Sequence, residues 1–176
     1  MKLRVLAIDP SLRSNGLCID DGTTWLLKGD HLAGVQRLRF LRDAVEDVLE
    51  DYQPHVVMLE GYAYKGPKAH QVGEWGGVLR LLLHEMGRPV VVVAPAKVKG
   101  FATGKGNAKK PVVVAAMSAA AGRQFHKDGD EADAFALAGM AMAMVGKFWW
   151  PAAAERLGWI SELPWPRVVR EALVAA

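Results

Sequence analysis

The N-terminal part of the chain consists of short apolar runs separated by polar turns. Residues 3–9 (LRVLAID) form a dense apolar run of strand length, followed by a shorter one at 17–20 (LCID) and by DDGTTWLLK at 20–28. The turns between these runs are rich in Gly, Asn, Asp and Ser. Turns of this kind at such short range predict an antiparallel meander of three strands.

Helices and strands are predicted to alternate after the meander. Residues 33–52 carry apolar side chains at spacings of three and four, which is typical of an amphipathic helix. These side chains are Val35, Leu38, Leu41, Val45, Val48 and Leu49. HVVMLEG (55–61) and RPVVVVAP (88–95) are predicted as buried strands around a helix at about 70–87. Strand–helix alternation adds parallel strands, so the predicted fold class is α/β, with a mixed five-stranded sheet flanked by helices.

The C-terminal half is predicted to be mainly helical. Residues 95–108 are rich in Gly and Lys and are predicted as a loop, followed by helices over 111–121 and 130–146. The segment after residue 146 is different, because it holds four of the six tryptophans: Trp149, Trp150, Trp159 and Trp165. We expect residues 1–146 to form one domain and residues 147–176 to extend it as a short helical appendage. Its aromatic side chains would pack onto the domain or onto a second subunit.

Composition narrows the class of protein. A chain of 176 residues with 51% hydrophobic content can bury one substantial core. Cys18 is the only cysteine, which excludes an internal disulfide and a thiolate zinc site. No apolar run reaches the roughly 18 residues of a membrane helix, and the N-terminal run is too short for a signal peptide. We therefore expect a soluble, intracellular protein without a membrane partner.

The charges are distributed unevenly along the chain. The formal net charge is only +3, but residues 97–110 (KVKGFATGKGNAKK) hold five lysines and no acid. A basic tract of this kind permits a polyanionic partner such as nucleic acid, although a solvated lysine loop is the simpler explanation when the tract is considered alone.

Acidic residues crowd the start of the last predicted helix, in HKDGDEADAFALA (126–138). Asp128 or Asp130 is suited to cap that helix, where acids favour the positive end of the helix dipole. Asp130 and Asp133 are three residues apart and share a helix face. Asp133 leads into a segment that is apolar on all sides, so its carboxylate must be neutralised or paired. Asp128 and Glu131 are expected to be cap and solvent-facing.

Two further acids end predicted strands. Asp9 closes the first strand and Glu60 closes HVVMLEG, and functional groups in α/β sheets gather at the carboxyl ends of parallel strands. With Asp130 and Asp133 they would place four like charges at one point, where they repel unless divalent cations hold them together. Oxygen ligands without cysteine suit Mg²⁺ or Mn²⁺, and a pair of such ions can clamp a phosphodiester.

The ordered set of motifs resembles that of the RuvC-like Holliday junction resolvases, nucleases of the RNase H-like superfamily. The resemblance covers roughly residues 1–146, which is most of the chain. It rests on AIDPSLRSNG (7–16), VVMLEGY (56–62), VGEWGGVL (72–79), KGFATGKGNAKKPVV (99–113) and DGDEADAFALA (128–138). The resemblance implies an RNase H-like fold and a metal-dependent endonuclease.

The resemblance also assigns roles to individual residues. Asp9, Glu60, Asp130 and Asp133 fall on the family's four metal-binding carboxylates, which implies two Mg²⁺ ions, with Mn²⁺ as a substitute. Lys99 and Lys110 fall on lysines that assist cleavage and hold the scissile phosphate. The adjacent Lys109 is an alternative to Lys110.

Other residues are candidates for DNA contact. The family has an aromatic residue that disturbs base stacking after the second acid. Tyr62 and Tyr64 flank that position, and a core or dimer tyrosine is the alternative for each. Arg13, beside the first metal acid, is a candidate for contact with a phosphate, as are the loop residues Lys97, Lys105 and Lys109.

Family members act as homodimers on four-way DNA junctions. We therefore expect a crossover junction endodeoxyribonuclease that makes paired nicks during recombination and repair or phage DNA processing. The resemblance places it in the cytoplasm of a bacterial or phage-infected cell. Its expected partners are branched DNA, a second copy of the chain and, as a possibility, a branch-migration helicase.

Several alternatives are open. GFATGKG has a phosphate-loop character, but its spacing is one residue short and Gly106 replaces Ser or Thr. Sugar kinases and actin-like proteins open with a similar strand and turn, but they need two such domains. An RNase H-like nuclease that cuts RNA–DNA hybrid or RNA, and a junction-binding protein that does not cut, are the remaining candidates. His126 is expected to be a surface loop residue and not a metal ligand.

Overall fold

The computed structural model describes residues 2–61 and 69–174. A single sheet contains five strands: β1 (Val5–Asp9), β2 (Ser14–Ile19), β3 (Thr24–Lys28), β4 (Val56–Glu60) and β5 (Val90–Val93). Their order across the sheet is β3-β2-β1-β4-β5. The first three strands pair antiparallel, whereas β4 adds parallel to β1 and β5 adds parallel to β4. The predicted mixed five-stranded sheet is confirmed.

Helices cover both faces of the sheet. One face packs against α1 (Gly34–Tyr52) and α2 (Ala69–Glu85). The other face packs against α3 (Pro95–Thr103), α4 (Lys110–Ala121) and α5 (Asp130–Met144). The C-terminal segment adds two short helices, α6 (Pro151–Glu155) and α7 (Arg167–Val174), with a 3-10 turn at Leu157–Trp159 between them.

The prediction of a loop over 95–108 is wrong in its first part, where α3 forms. Pro95 is the first residue of this helix, a position at which proline's missing N–H has no cost. The side chains of Val98 and Phe101, both on this helix, are buried in the core. Gly104 ends it with a left-handed φ of 82°. The Gly and Lys content that indicated a loop therefore conceals an apolar helix face.

The alternation of side chains along β1 separates two cores. Leu6 and Ile8 pack with α1 and α2, whereas Val5 and Ala7 pack with α3, α4 and α5. Because successive strand residues point to opposite faces, Asp9 follows Val5 and Ala7 onto the face that carries α5.

Helix α5 lies unusually close to the sheet. A β-carbon built on Gly16 would lie 1.9 Å from the backbone oxygen of Asp130, so only glycine allows the helix to rest there. Ala7 and Cys18 continue this strip of small side chains beneath the helix. The helix is also covered by α3, α4 and the C-terminal segment, and its residues 132–143 are all buried. This environment explains why its sequence is apolar on all sides.

Two further predictions need correction. Val35 was placed on the apolar face of the first helix, but it is 79% exposed because it lies in the first turn, before α1 reaches the core. The last long helix ends at Met144 and not at residue 146, since Gly146 adopts a left-handed φ of 76°.

No helix among residues 2–61 and 69–174 is long and apolar enough to cross a membrane.

The contact at Gly16 predicts a specific sensitivity. We expect Gly16→Ala to lower the free energy of unfolding by about 2 kcal/mol or more, because the added methyl overpacks the sheet–helix contact. Urea unfolding followed by circular dichroism measures this change. Gly77→Ala is the matched control, since nothing lies within 4 Å of the added methyl and Ala favours the helix. A Gly16→Ala protein as stable as the parent would contradict the close packing of α5.

Candidate metal centre

Three carboxylates converge at one edge of the sheet. Strands β1 and β4 are parallel neighbours, so Asp9 and Glu60 end them side by side. Both point to the face on which α5 lies, and Asp133 in the first turn of α5 faces them. One oxygen from each of the three carboxylates lies within 4.8 Å of the other two. The expected meeting of strand-end and helix acids therefore occurs for these three residues.

The cluster favours protonated carboxyls when no cation offsets its charge. Burial raises the pKa of Asp9 well above its usual range, and the neighbouring Glu60 and Asp133 raise it further. Burial also raises the pKa of Glu60, and the charge of Asp133 adds to the effect, against the hydrogen bond from Asp9. A site of this kind strongly attracts positive charge.

Lys110 supplies one positive charge to the cluster. It is the first residue of α4, and its Nζ lies 2.7 Å from Asp133 Oδ2 and 3.5 Å from Asp130 Oδ1. Burial opposes its charged form, yet Asp133 and Asp9 raise the pKa of the ammonium above its ordinary value. The aliphatic chain runs over Gly129, where a β-carbon would lie 2.4 Å from Cε of the lysine. Glycine at position 129 therefore makes room for the lysine to reach the carboxylates.

Asp130 lies at the margin of this cluster. It is not one of the three carboxylates whose oxygens lie within 4.8 Å of one another, and it shares Lys110 with Asp133. Burial raises the pKa of its carboxyl, while Lys110 lowers it. The structure thus divides the four predicted metal ligands into a group of three and a neighbour that is linked to them through a lysine.

Asp128 is exposed as expected, but the expectation that Asp128 or Asp130 caps α5 is wrong. The residue that caps α5 is Gly129, with a φ of 78°, and no side chain makes a cap hydrogen bond there. Asp128 instead pairs with His126, at 3.2 Å between Oδ2 and Nδ1. Glu131 does not face solvent alone, since its Oε1 accepts a 2.7 Å hydrogen bond from Thr24 Oγ1. Glycine accepts the left-handed conformation at the helix start, which an aspartate would resist.

A buried polar pair that sequence analysis missed supports the turn after Asp9. Asn15 is fully buried at the start of β2. Its Oδ1 accepts hydrogen bonds from Trp75 Nε1 at 2.7 Å and from the Ser11 backbone N–H at 3.1 Å. Its Nδ2 donates to the Leu27 carbonyl at 3.3 Å. Asn15 therefore joins α2, the turn after Asp9 and β3. Asn15 and Trp75 are 60 residues apart, so no spacing in the sequence indicates their hydrogen bond.

The predicted basic residues between 97 and 109 lie on α3 and in the segment that follows it. Lys97 and Lys99 lie on α3, and the positive charge of Lys99 partly opposes the rise in the pKa of Glu60, so its charge acts on the cluster. Lys105 and Lys109 are exposed in the segment between α3 and α4. The Nζ of Lys97 also lies 3.8 Å from Oε2 of Glu162 in the C-terminal segment.

A second group of basic side chains lies next to Asp130. A pocket of about 370 Å³ is lined by Asp130, Arg13, Lys28 and His126, among others. Arg13 and His126 are both exposed, and His126 is not in the carboxylate group. Tyr62 and Tyr64, the candidates for base stacking, lie outside the described residues.

Comparison with known proteins now decides the family. The sequence model of the family "Crossover junction endodeoxyribonuclease RuvC" matches residues 5–140. The chain belongs to the RuvC family. Among its relatives, crossover junction endodeoxyribonuclease RuvC of Ruegeria pomeroyi is 32% identical over 155 residues, covering 77% of this chain and 88% of the relative. The protein of that name from Nocardia farcinica is 33% identical over 149 residues, covering 77% and 79%. The chain is thus a member of a nuclease family of DNA recombination and repair.

Solved RuvC structures share the fold. The Thermus thermophilus RuvC structure has a TM-score of 0.64 at 24% identity, covering 82% of this chain and 98% of that one. A second structure, T. thermophilus RuvC in complex with Holliday junction substrate, has a TM-score of 0.62 at 24% identity, covering 89% and 97%. The RNase H-like fold expected from the sequence is confirmed.

The raised pKa of Asp9 predicts how stability depends on pH in the RuvC-family chain. A carboxyl whose folded pKa is raised contributes stability below its ordinary value of 3.8, and this contribution is lost as the pH rises through the folded pKa. At pH 8 in EDTA we expect Asp9→Asn to raise the melting temperature, by about 2–4 °C for each kcal/mol of repulsion removed. The advantage over the parent should shrink towards pH 5.

Thermal melts with and without Mg²⁺ measure both effects. The metal should raise the melting temperature of the parent more than that of Asp9→Asn, because a ligand stabilises the state that binds it. Asp47→Asn, an exposed charge change on α1, is the control. If Asp9→Asn melts below the parent at pH 8 in EDTA, repulsion in the cluster does not limit stability.

Proposed function

We propose that this chain resolves four-way DNA junctions by hydrolysing a phosphodiester bond in each of two strands, with Mg²⁺ held by Asp9, Glu60 and Asp133. The convergence of these three carboxylates within 4.8 Å, in a chain of the RuvC family, is the observation that carries the proposal. Divalent ions at such a site would activate the attacking water and stabilise the leaving oxygen.

The donor set fits Mg²⁺. All three ligands are carboxylates, which hard divalent ions prefer, and neither cysteine nor histidine belongs to the group. Burial first and the neighbouring acids second raise the pKa values of Asp9 and Glu60, and a divalent ion would offset this cost to their charged forms. We propose two ions for each site, with Asp130 contributing from the margin of the cluster and with Mn²⁺ able to replace Mg²⁺.

Lysines on two sides would hold the scissile phosphate. Lys110 binds Asp133 through a single ammonium, which can turn to a phosphate oxygen while its aliphatic chain stays over Gly129. The field of Lys99 reaches Glu60 from α3. Arg13, Lys97, Lys105 and Lys109 would bind phosphates further along the strands, which positions the DNA without reading its sequence.

A four-way junction has a symmetry that suits two copies of the chain. One site nicks one strand, so paired nicks in strands of like polarity require a second site related by a twofold axis. We propose that a homodimer supplies it and that a branch-migration helicase is a further partner. Either Tyr62 or Tyr64 is proposed to disturb base stacking at the crossover.

Loss of a metal ligand should separate binding from cleavage. We expect Asp133→Asn and Glu60→Gln to slow the Mg²⁺-dependent nicking of a labelled four-way junction by about 100-fold or more, since several kcal/mol of transition-state stabilisation are lost. Junction affinity, measured by gel shift in Ca²⁺, should stay near that of the parent. Asp47→Asn is the control for the loss of one negative charge.

Substrate competition tests the class of nucleic acid. A parent protein that nicks an RNA–DNA hybrid in preference to the junction would favour the broader RNase H-like activity. A protein that binds the junction but never nicks it, in Mg²⁺ or Mn²⁺, would be a structural junction binder. Symmetrical nicks in the junction, in the presence of excess linear duplex, are the expected result.

The basic segment should govern the salt dependence of binding. Each phosphate contact contributes a slope of about −0.9 to the plot of log affinity against log salt, so Lys105→Gln and Lys109→Gln should each flatten the plot by up to about that amount. Lys147→Gln is the matched control, because this exposed lysine lies past the opposite end of α5 from Asp130. Equal slopes for all four proteins would remove the basic segment from the DNA interface.

A further inference from the structure

The C-terminal segment after α5 lies beyond the part of the chain that the RuvC family model matches, which ends at residue 140. Its tryptophans contribute to the hydrophobic core. Trp150 and Trp165 are buried in the core on the α5 face of the sheet, and Trp149 and Trp159 pack against that core. The segment thus belongs to the layer that carries the candidate metal centre.

Three glycines accept tryptophan rings from this segment. A β-carbon on Gly139 of α5 would lie 2.8 Å from the Trp150 ring, and one on Gly100 of α3 would lie 2.4 Å from the Trp159 ring. One on Gly106 would lie 3.4 Å from that same ring. The first two contacts leave no room for any side chain but hydrogen, so the helices and the tryptophans fit each other closely.

Arg156 fixes the far end of α3. Its Nη1 donates to the carbonyl oxygens of Phe101 at 3.0 Å and Ala102 at 2.6 Å, which are among the last carbonyls of that helix. A guanidinium at this position satisfies free acceptors and favours the negative end of the helix dipole. Phe101 also meets Trp150 edge to face, at 5.3 Å between ring centroids. One short segment therefore connects α3 to α5.

These two helices carry opposite parts of the site. Helix α5 provides Asp130 and Asp133, whereas α3 provides Lys97 and Lys99 and leads into the segment with Lys105. The distance between the carboxylates and the lysines depends on how α3 is held against α5. Misplacing a group by about 1 Å can slow an enzyme about 100-fold.

We propose that Trp159 and Arg156 are positioning residues of the nuclease. They hold α3 and residues 104–109 at a fixed place relative to the carboxylates of α5, so that the lysines meet the scissile phosphate in register. This inference rests on the proposed function, because it assigns the basic segment to the cleaved strand. The two residues act through α3 and not by touching the DNA.

The test compares Trp159→Ala with Trp159→Phe, which keeps a flat ring over the glycines. With protein in excess over a labelled four-way junction, we expect Trp159→Ala to cleave about 10- to 100-fold more slowly and Trp159→Phe to stay within about threefold of the parent. The rise in melting temperature caused by Mg²⁺ should be unchanged in both, since the carboxylates are intact. Leu173→Ala, a truncation of an exposed apolar side chain on α7, is the control.

Gly100→Ala approaches the same contact from α3 and should reproduce the slow cleavage of Trp159→Ala. Cleavage at the parent rate by Trp159→Ala would overturn the proposal. Equal losses in Trp159→Ala, Trp159→Phe and Leu173→Ala, or a lost response to Mg²⁺, would also overturn it, because they indicate a general loss of folding.

Failure of the proposed function is distinguishable from failure of this inference. If the parent cuts no junction, the proposed function fails, and hydrogen exchange then tests the contact alone. We expect Trp159→Ala to speed amide exchange in α3 by about 10-fold or more while α1 stays unchanged, as expected for local loss of packing. Equal exchange in α3 of parent and variant would overturn the positioning role.

Discussion

Helix α5 can bring Asp133 to Asp9 and Glu60 only because its first turn rests on the backbone of β2 at Gly16, where a side chain would collide with the Asp130 carbonyl. Strand β1 contributes Ala7 to the same shallow strip. Glycine and alanine have low strand propensity and contribute little packing between strands. At these positions their small size allows the helix to lie close to the sheet. The carboxylate cluster therefore forms where small side chains on the sheet allow α5 to approach closely.

That closeness also sets the electrostatics. Carboxylates brought together in a buried place repel, and the free energy of that repulsion must be offset by packing elsewhere in the molecule. Helix α5 is buried on all sides, by the sheet below and by α3, α4 and the C-terminal segment above. Lys110 reaches into the cluster over Gly129, a second point at which a missing side chain lets a charged group approach. The close packing of α5 therefore brings the carboxylates together and also offsets the free energy of their repulsion.

Much of the fold and part of the site could be predicted from local patterns. The strand runs, the α1 and α5 segments and the acids at strand ends are all recorded within short stretches of sequence. Four carboxylates were therefore predicted to meet, and the structure brings three of them together while Asp130 stays at the margin. The features that were missed depend on partners far along the chain. Helix α3 is stabilised by Phe101 and Val98 in the core, and the Asn15–Trp75 pair exists only once α2 has packed. The cap of α5 was assigned to Asp128 or Asp130, whereas Gly129 holds that position.

The contact between α5 and the first strands has a kinetic side. Residues that meet there are more than 100 positions apart in the chain, as Asp130 and Gly16 are, and contacts between such distant residues close slowly because a long loop must first be ordered. Until it packs on the sheet, an apolar helix exposes hydrophobic surface that favours aggregation. Asp133 meets Asp9 and Glu60 only when α5 has packed on the sheet, so the three-carboxylate group does not exist in any local segment of the chain. The candidate metal centre is therefore a property of the folded chain as a whole.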